Sequence, residues 1–520
     1  MKAMVIGLDG ATFRLLKPWA EEGVLPNLAK IMKEGCYGPL ESSIPHVTYP
    51  AWKCYSTGKY PSNLGVYYFL KFDKNNFKIS TNFSTSFKGR EIWDYLGDYE
   101  LKSGVINMPT TYPPKKINGF MISGPVIIGE DYVYPTNLKS KIENEFNYKP
   151  STRSLGAELR RGDGEEIKQE IKDIIKSRFE VAKHMLKNGN FDFLHLTIFY
   201  IDAIQHFFWG DMEEDNPKNT NTIKNFWKFI DKNIGEIMEM IGEETNLIFI
   251  SDHGFTKLKG EFNLNNWLIN KGYLVRNVSK VYFLYKLGLN ADLLYTIFKK
   301  THLLHLIRKI IPTEVRGKVP SKKGDVSLDF LEDEIDWQRS KAIMCGDGLI
   351  YINNNVVKDD REFKDLLIEE LRMIRNPVTG EKFAEEIYKT EEIYGHVNSN
   401  APDIFILPKS GYLLKNVISE KEWNFETERW SAIHELEGIF IAYGPDIKKN
   451  SEIKNLRIYD IAPTILHLYN IPIPQDVDGR VIKNIFQEDS EVYNREVVIE
   501  AKEKELILNK IDRLKGGGRI

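Results

Sequence analysis

The chain has 520 residues, 42% hydrophobic and 28% charged, enough apolar material for a large core and too much for a disordered or collagen-like chain. Lys plus Arg number 71 against 74 Asp plus Glu, a net charge of −3, which lacks the basic excess of a general nucleic-acid binder; no nucleic-acid polymer is expected as a partner. Three cysteines, Cys36, Cys54 and Cys345, are too few and too scattered for a disulfide framework or a thiolate metal site.

The chain opens MKAMVIGLDG. Ala3 to Leu8 reads as a short buried strand rather than the longer apolar stretch of a signal peptide. No run approaches the roughly 18 apolar residues of a membrane span, so a cytoplasmic location is expected. Asp9 follows the strand. Leu28 to Glu34 fits a helix closed by Gly35. In Ile44-Pro45-His46-Val47-Thr48-Tyr49-Pro50-Ala51-Trp52, Thr48 can cap a helix with Pro50 in its first turn. A hydroxyl there also sits where backbone N–H groups favour an oxyanion or a phosphate. Gly58 closes this helix.

Lys102 to Asn107 reads as a second strand and Glu165 to Leu186 as an amphipathic helix. Phe191 to Phe199 is a third strand, Thr222 to Ile241 a helix and Asn246 to Ser251 a fourth strand. The alternation predicts an α/β fold with a mostly parallel sheet and helices on both faces. Ligands of such sheets bind beyond the carboxyl ends of the strands, and three of these ends carry acids: Asp9, Asp202 and Asp252. Each alone would usually be a turn or cap residue. Together they would repel unless something positive lies between them.

Asp202 and His206 are four residues apart, so on a helix they share a face. Asp252-His253-Gly254 places two ligand types on a sharp turn. His434 precedes the strand Gly438 to Ala442. Three Asp and three His suit two divalent ions with about three protein ligands each. The mixed donors favour zinc, with manganese or iron as alternatives, over magnesium.

Between these elements, Val281 to Ile311 is apolar and basic. It reads as inserted helices forming a lid, or as a membrane-surface segment. Strand patterns return at Ile343 to Asn353 and Pro402 to Pro408, a closing helix at Tyr459 to Leu468, and helical spacing from Val497 to Leu514. The expected divisions are a core of 1–255 and 341–490, a mostly helical insertion at 256–340 and a helical tail at 491–520.

In chain order, GLDG at Asp9, TYPAW at Thr48 followed by STG, D-x-x-x-H at Asp202 and His206, SDHG at Asp252 and His253, and His434 ahead of GIFIAYGP resemble the alkaline phosphatase superfamily. The closer resemblance is to its type I phosphodiesterase/nucleotide pyrophosphatase branch. DIAPTIL (Asp460 to Leu466) and DGR (Asp478 to Arg480) fit as well. NMPTTYPP (Asn107 to Pro114) and EEIYGH resemble a prokaryotic phosphohydrolase/phosphomutase group within it.

The resemblance implies a three-layer α/β/α sandwich and hydrolysis of a small-molecule phosphate ester, diester before monoester. One metal site would use Asp9, Asp252 and His253 and bind the Thr48 oxygen; the other would use Asp202, His206 and His434. Thr48 would be the nucleophile, giving a phosphothreonine intermediate. The alternatives are a cofactor-independent phosphomutase, a branch that generally uses Ser, and a lipid- or membrane-facing phosphohydrolase or binding module. The sequence departs from the family pattern at Phe69, where nucleotide pyrophosphatases place an Asn; Asn63 is out of register. Phosphate recognition is then left to the metals and backbone N–H groups, with Lys53 and Asn107 as further candidates.

Overall fold

The computed structural model describes residues 1–125, 127, 129–152, 164–277, 293, 326–327, 335–395, 397–415, 417–419, 421–426 and 430–500. The basic segment Val281 to Ile311 apart from residue 293, most of the expected lid and the tail beyond residue 500 lie outside the described residues. The chain divides into two compact units. The first holds Met1–Leu64, Phe83–Thr256 and His434–Ile520, and the second Gly65–Asn82 and Lys257–Ile433.

The first unit is built on a ten-stranded sheet. Its strands in chain order are β1 (Ala3–Leu8), β2 (Cys36–Glu41), β3 (Ser103–Met108), β4 (Gly119–Ser123), β5 (Val133–Tyr134), β6 (Phe193–Ile198), β7 (Asn246–Ile250), β8 (Glu437–Tyr443), β9 (Ser451–Glu452) and β10 (Leu456–Arg457). They lie in the order β9-β2-β8-β7-β1-β6-β3-β4-β5, with β10 also beside β2. Strands β7, β1, β6, β3 and β4 are parallel. Strand β8 runs against both β2 and β7, and β5 runs against β4.

Strand β1 is buried at every position, as a central strand covered on both faces must be. Its helices include α1 (Phe13–Glu21), α2 (Pro26–Glu34), α3 (Thr48–Thr57), α4 (Ile92–Asp98), α5 (Glu165–Asn188), α6 (Ile201–Glu213), α7 (Thr222–Met240) and α8 (Ile461–Leu468). Helix α5 packs on β6 and β3, α2 packs on β8 and β2, and α7 packs on α2, α5 and α6. On the opposite face, Val5, Val105, Ile248, Ile250 and Phe440 share a core with Trp52, Tyr55, Trp93, Ile461 and Ile465 of α3, α4 and α8. The contributing strand residues alternate, as a pleated sheet with two buried faces requires. The expected α/β/α sandwich is the architecture found.

The second unit has its own sheets. Ala342–Met344, Leu349–Ile352, Ile404–Pro408 and Ala384–Lys389 form a four-stranded antiparallel sheet, beside the helix Asp360–Arg372. These strands pair with one another and not with the ten-stranded sheet. By compactness residues 341–433 group with 257–277 and 65–82, where the sequence groups 341–490 with the expected core. The single strand expected at Ile343 to Asn353 is a hairpin, broken where Gly346 and Gly348 take φ of 104° and 76°.

Phe249 lies in the middle of β7 with no exposed surface. Phe249→Ala is expected to cost about 3–5 kcal/mol of unfolding free energy, read as a lower midpoint in chemical denaturation.

Candidate metal centre

Sheet register brings the acidic strand ends level. Leu8 of β1 is opposite Ile198 of β6, and Gly7 is opposite Ile250 of β7. Asp9, the start of α6 and the Asp252-His253 turn therefore emerge together at one rim. Because β8 is antiparallel, its entrance rather than its exit lies at that rim, and His434 arrives there three residues before it. Asp202 and His206 lie one turn apart on α6, as the spacing predicts, with Nε2 of His206 3.4 Å from Oδ2 of Asp202.

Thr48 is the first residue of α3, and Val47 flanks the helix without a side-chain cap. The hydroxyl expected as a cap is thus turned to other use. Its Oγ1 lies 3.4 Å from Nε2 of His253.

Asp9, Asp252 and His253 bring one ligand atom each within 4.8 Å of one another, all fully buried. One atom of each is anchored and the other is offered. Asp9 accepts the Trp52 indole N–H on Oδ2 at 2.9 Å, and its Oδ1 has no hydrogen-bond partner. Asp252 accepts the Gly10 N–H on Oδ1 at 3.1 Å, and its Oδ2 has none. Gly10 makes that bond from a turn with φ of 67°, where glycine is favoured. Nδ1 of His253 donates to the Gly254 carbonyl at 3.1 Å. That fixes the tautomer and leaves Nε2 a lone pair, 3.2 Å from Oδ2 of Asp252 and 3.8 Å from Oδ1 of Asp9.

Burial first, then the Asp252 and Asp202 carboxylates, push Asp9 well above the ordinary carboxylate range. Burial pushes Asp252 up to about 7, against the Gly10 N–H that favours its charge. Burial pushes His253 down to about 3, so at neutral pH its imidazole is uncharged. Acceptors facing acceptors in a dry site are repulsive, and a divalent cation satisfies all of them at once.

The second set is as tightly drawn. Nε2 of His434 lies 3.0 Å from Nε2 of His206 and 3.2 Å from Oδ2 of Asp202. Tetrahedral bonds of about 2.0–2.1 Å place ligand atoms about 3.3 Å apart, the spacing seen among these three. His253 also falls within 4.8 Å of Asp202 and His434, and its ring stacks on His434 at 3.5 Å between centroids. It therefore stands where the two sets meet. Burial opposes ionisation of Asp202, but His206 and His434 outweigh it and hold the carboxyl below its usual range. Burial and then His253 push His434 down to about 4. His46 is partly buried beside them and likewise falls to about 4, through burial and then His434.

The two side chains expected as candidates for phosphate contact meet other protein groups. Lys53 is five residues beyond Thr48, about 140° around the helix. Its ammonium is buried against Glu91 at 2.7 Å, and Lys115 holds the other oxygen of Glu91. Asn107 spends both ends of its amide: Nδ2 donates to the Thr197 carbonyl at 2.8 Å, and Oδ1 accepts from the buried Arg178 at 3.4 Å. Asn63 is tied to Asp478.

Trp52 and Gln205 are the supporting residues that sequence reasoning passed over. Gln205 donates to the Gly10 carbonyl at 2.8 Å and so braces the turn after Asp9. For Trp52 the signal was available, since it follows Thr48 by one helical turn.

Residues 3–434 match the type I phosphodiesterase / nucleotide pyrophosphatase family. Comparison with curated proteins gives no match. The fold is similar to human ectonucleotide pyrophosphatase/phosphodiesterase 5, with 16% identity and a TM-score of 0.52 over 94% of this chain and 100% of that one. It is also similar to the murine protein of the same name, solved as an inactive threonine-to-alanine variant in complex with AMP, with 15% identity and a TM-score of 0.51 over 94% and 100% of the two chains. The chain belongs to the type I phosphodiesterase/nucleotide pyrophosphatase family and is a phosphoric ester hydrolase.

The raised Asp252 carboxyl has a consequence for stability without metal. Unfolded, it ionises near 3.8, and folded near 7. Its contribution is complete below the unfolded value and lost as pH rises through the folded one. In chelator, the stability of wild type relative to Asp252→Asn is expected to fall between about pH 4 and about pH 7, as urea titrations of both proteins would measure.

Proposed function

We propose, from membership of this chain in the type I phosphodiesterase/nucleotide pyrophosphatase family, that it hydrolyses small-molecule phosphodiesters at a two-cation centre with Thr48 as the nucleophile. The observation that carries this reading is the Thr48 hydroxyl, 3.4 Å from Nε2 of His253, beside two buried carboxylate oxygens that have no hydrogen-bond partner. Asp9, Asp252 and His253 would hold one cation, and Asp202, His206 and His434 the other. Zinc is the first choice and manganese the second, on the mixed nitrogen and oxygen donors. Bound there, divalent cations lower the pKa of a coordinated oxygen and offset charge on a phosphoryl group.

The protein's own part is positional. Helix α3 presents the Thr48 Oγ1 at its first turn, where backbone N–H groups face an incoming anion. Oγ1 forms a bond to phosphorus while the bond to the ester's leaving oxygen breaks. Water then cleaves the phosphothreonine bond and restores the hydroxyl. His253 and His434, uncharged at neutral pH, keep lone pairs available as ligands.

The AMP complex of the murine structural neighbour is consistent with a small phosphate ester as the substrate class. With Lys53, Asn107 and Asn63 otherwise engaged, contacts to the phosphoryl oxygens fall to the cations and the helix terminus. No helix among the described residues is long and apolar enough to cross a membrane.

Thr48→Ala is expected to lower turnover of a nitrophenyl diester by at least about 1000-fold while both metals are retained, as metal analysis would show. His434→Ala should reduce metal content and rate together. Substantial turnover by Thr48→Ala would remove the covalent mechanism.

A further inference from the structure

Trp52 is fully buried, yet its one polar atom is aimed at the metal centre. The indole N–H donates to Oδ2 of Asp9 at 2.9 Å and leaves Oδ1 as the unpartnered oxygen. A carboxylate free to rotate could turn either oxygen inward. The hydrogen bond selects one.

The ring is held from several sides. A Cβ added at Gly7 would lie 2.3 Å from the indole Cη2 and 3.2 Å from Oγ1 of Thr197, so β1 needs glycine at the one position where the ring crosses it. The indole meets the edges of Tyr55 and His195 at 5.9 Å and 6.0 Å between centroids. Behind it, His195 is fixed at both nitrogens, by the Tyr55 hydroxyl at 2.9 Å and Oγ1 of Thr197 at 2.7 Å. Packing alone would account for a large ring here, but not for an N–H directed at a carboxylate whose other oxygen is bare.

We propose that Trp52 is a positioning residue, whose N–H sets which oxygen of Asp9 faces the cation and fixes that oxygen relative to the Thr48 hydroxyl through one turn of α3. Thr48 and Trp52 are four residues apart on a single helix, so the nucleophile and the clamp on its neighbouring ligand move as one body. A partner that orients a metal ligand is commonly worth about 10- to 100-fold in metal affinity. This role rests on the two-cation reading above.

The test is a calorimetric zinc titration of chelator-stripped full-length protein. Wild type is expected to take up two equivalents. In Trp52→Phe, which keeps an aromatic ring but removes the N–H, one of the two steps should weaken by about 10- to 100-fold and the other should keep its wild-type affinity. A protein carrying benzothienylalanine at position 52 has the same ring shape with sulfur in place of N–H. It should show the same selective loss, and it decides the matter where the phenylalanine variant folds poorly. Tyr55→Phe, which disturbs only the support behind the ring, should lower thermal stability and leave both zinc affinities unchanged.

Two unaltered steps in both position-52 proteins would overturn the role of Trp52 while leaving the two-cation reading in place. Equal weakening of both steps would also overturn it, since that is the signature of a general structural defect. A wild-type protein that binds no zinc or manganese would instead sink the two-cation reading, and this role with it.

Discussion

Three carboxylates, those of Asp9, Asp202 and Asp252, are gathered at one rim of a buried sheet, and the groups that share the rim with them are imidazoles. Among the described residues, the ion-pair partners of these three are histidines, not lysine or arginine. Two like charges about 4 Å apart cost roughly 4 kcal/mol at an effective dielectric of 20, and Asp9 and Asp252 bring carboxylate oxygens within 4.8 Å of one another. The fold tolerates this repulsion because protons or metal ions can neutralise it. A centre of this kind links folding to cation binding: the groups that oppose one another without the ion become the groups that grip it.

The sheet makes the convergence rigid. The central strand β1 is flanked by β6 and β7 in a register that leaves their ends level, so three side chains distant in sequence start from neighbouring backbone positions. Each is then held at one atom. The indole of Trp52, the Gly10 amide and the Gly254 carbonyl fix Asp9, Asp252 and His253 in turn. What remains unpaired points inward. This division of each ligand into an anchored and an offered atom favours preorganised binding over collapse.

Much of this was legible in the sequence. A buried strand announces itself as an apolar run, and the residue after it falls on the ligand-binding rim of a parallel sheet, so Asp9, Asp202 and Asp252 could be picked out without coordinates. Four-residue spacing was enough to put His206 with Asp202. His434 was different: alone it is unremarkable, marked only by its place just ahead of an apolar strand, and the resemblance strengthened the choice. Lys53 follows Thr48 closely in sequence, yet five residues turn its side chain away on the helix. The amide of Asn107 is engaged by Thr197 and Arg178, partners set by tertiary packing that the sequence does not display. The domain boundary escaped for a similar reason. Residues 65–82, close in sequence to Thr48, belong with chain some two hundred residues later, a non-local pairing that no period in the sequence reports.

Strand β8 has an implication for biosynthesis. It fills the place between β2 and β7, and the other partners of β2, namely β9 and β10, come later still. Until residue 437 has left the ribosome, β2 has no neighbour in the sheet and β7 presents an open edge. A nascent chain carrying five of the six proposed ligands is therefore an incomplete receptor with an adhesive flank. Vectorial synthesis makes the arrival of His434 and β8 a single late event that seals the sheet and completes the centre together.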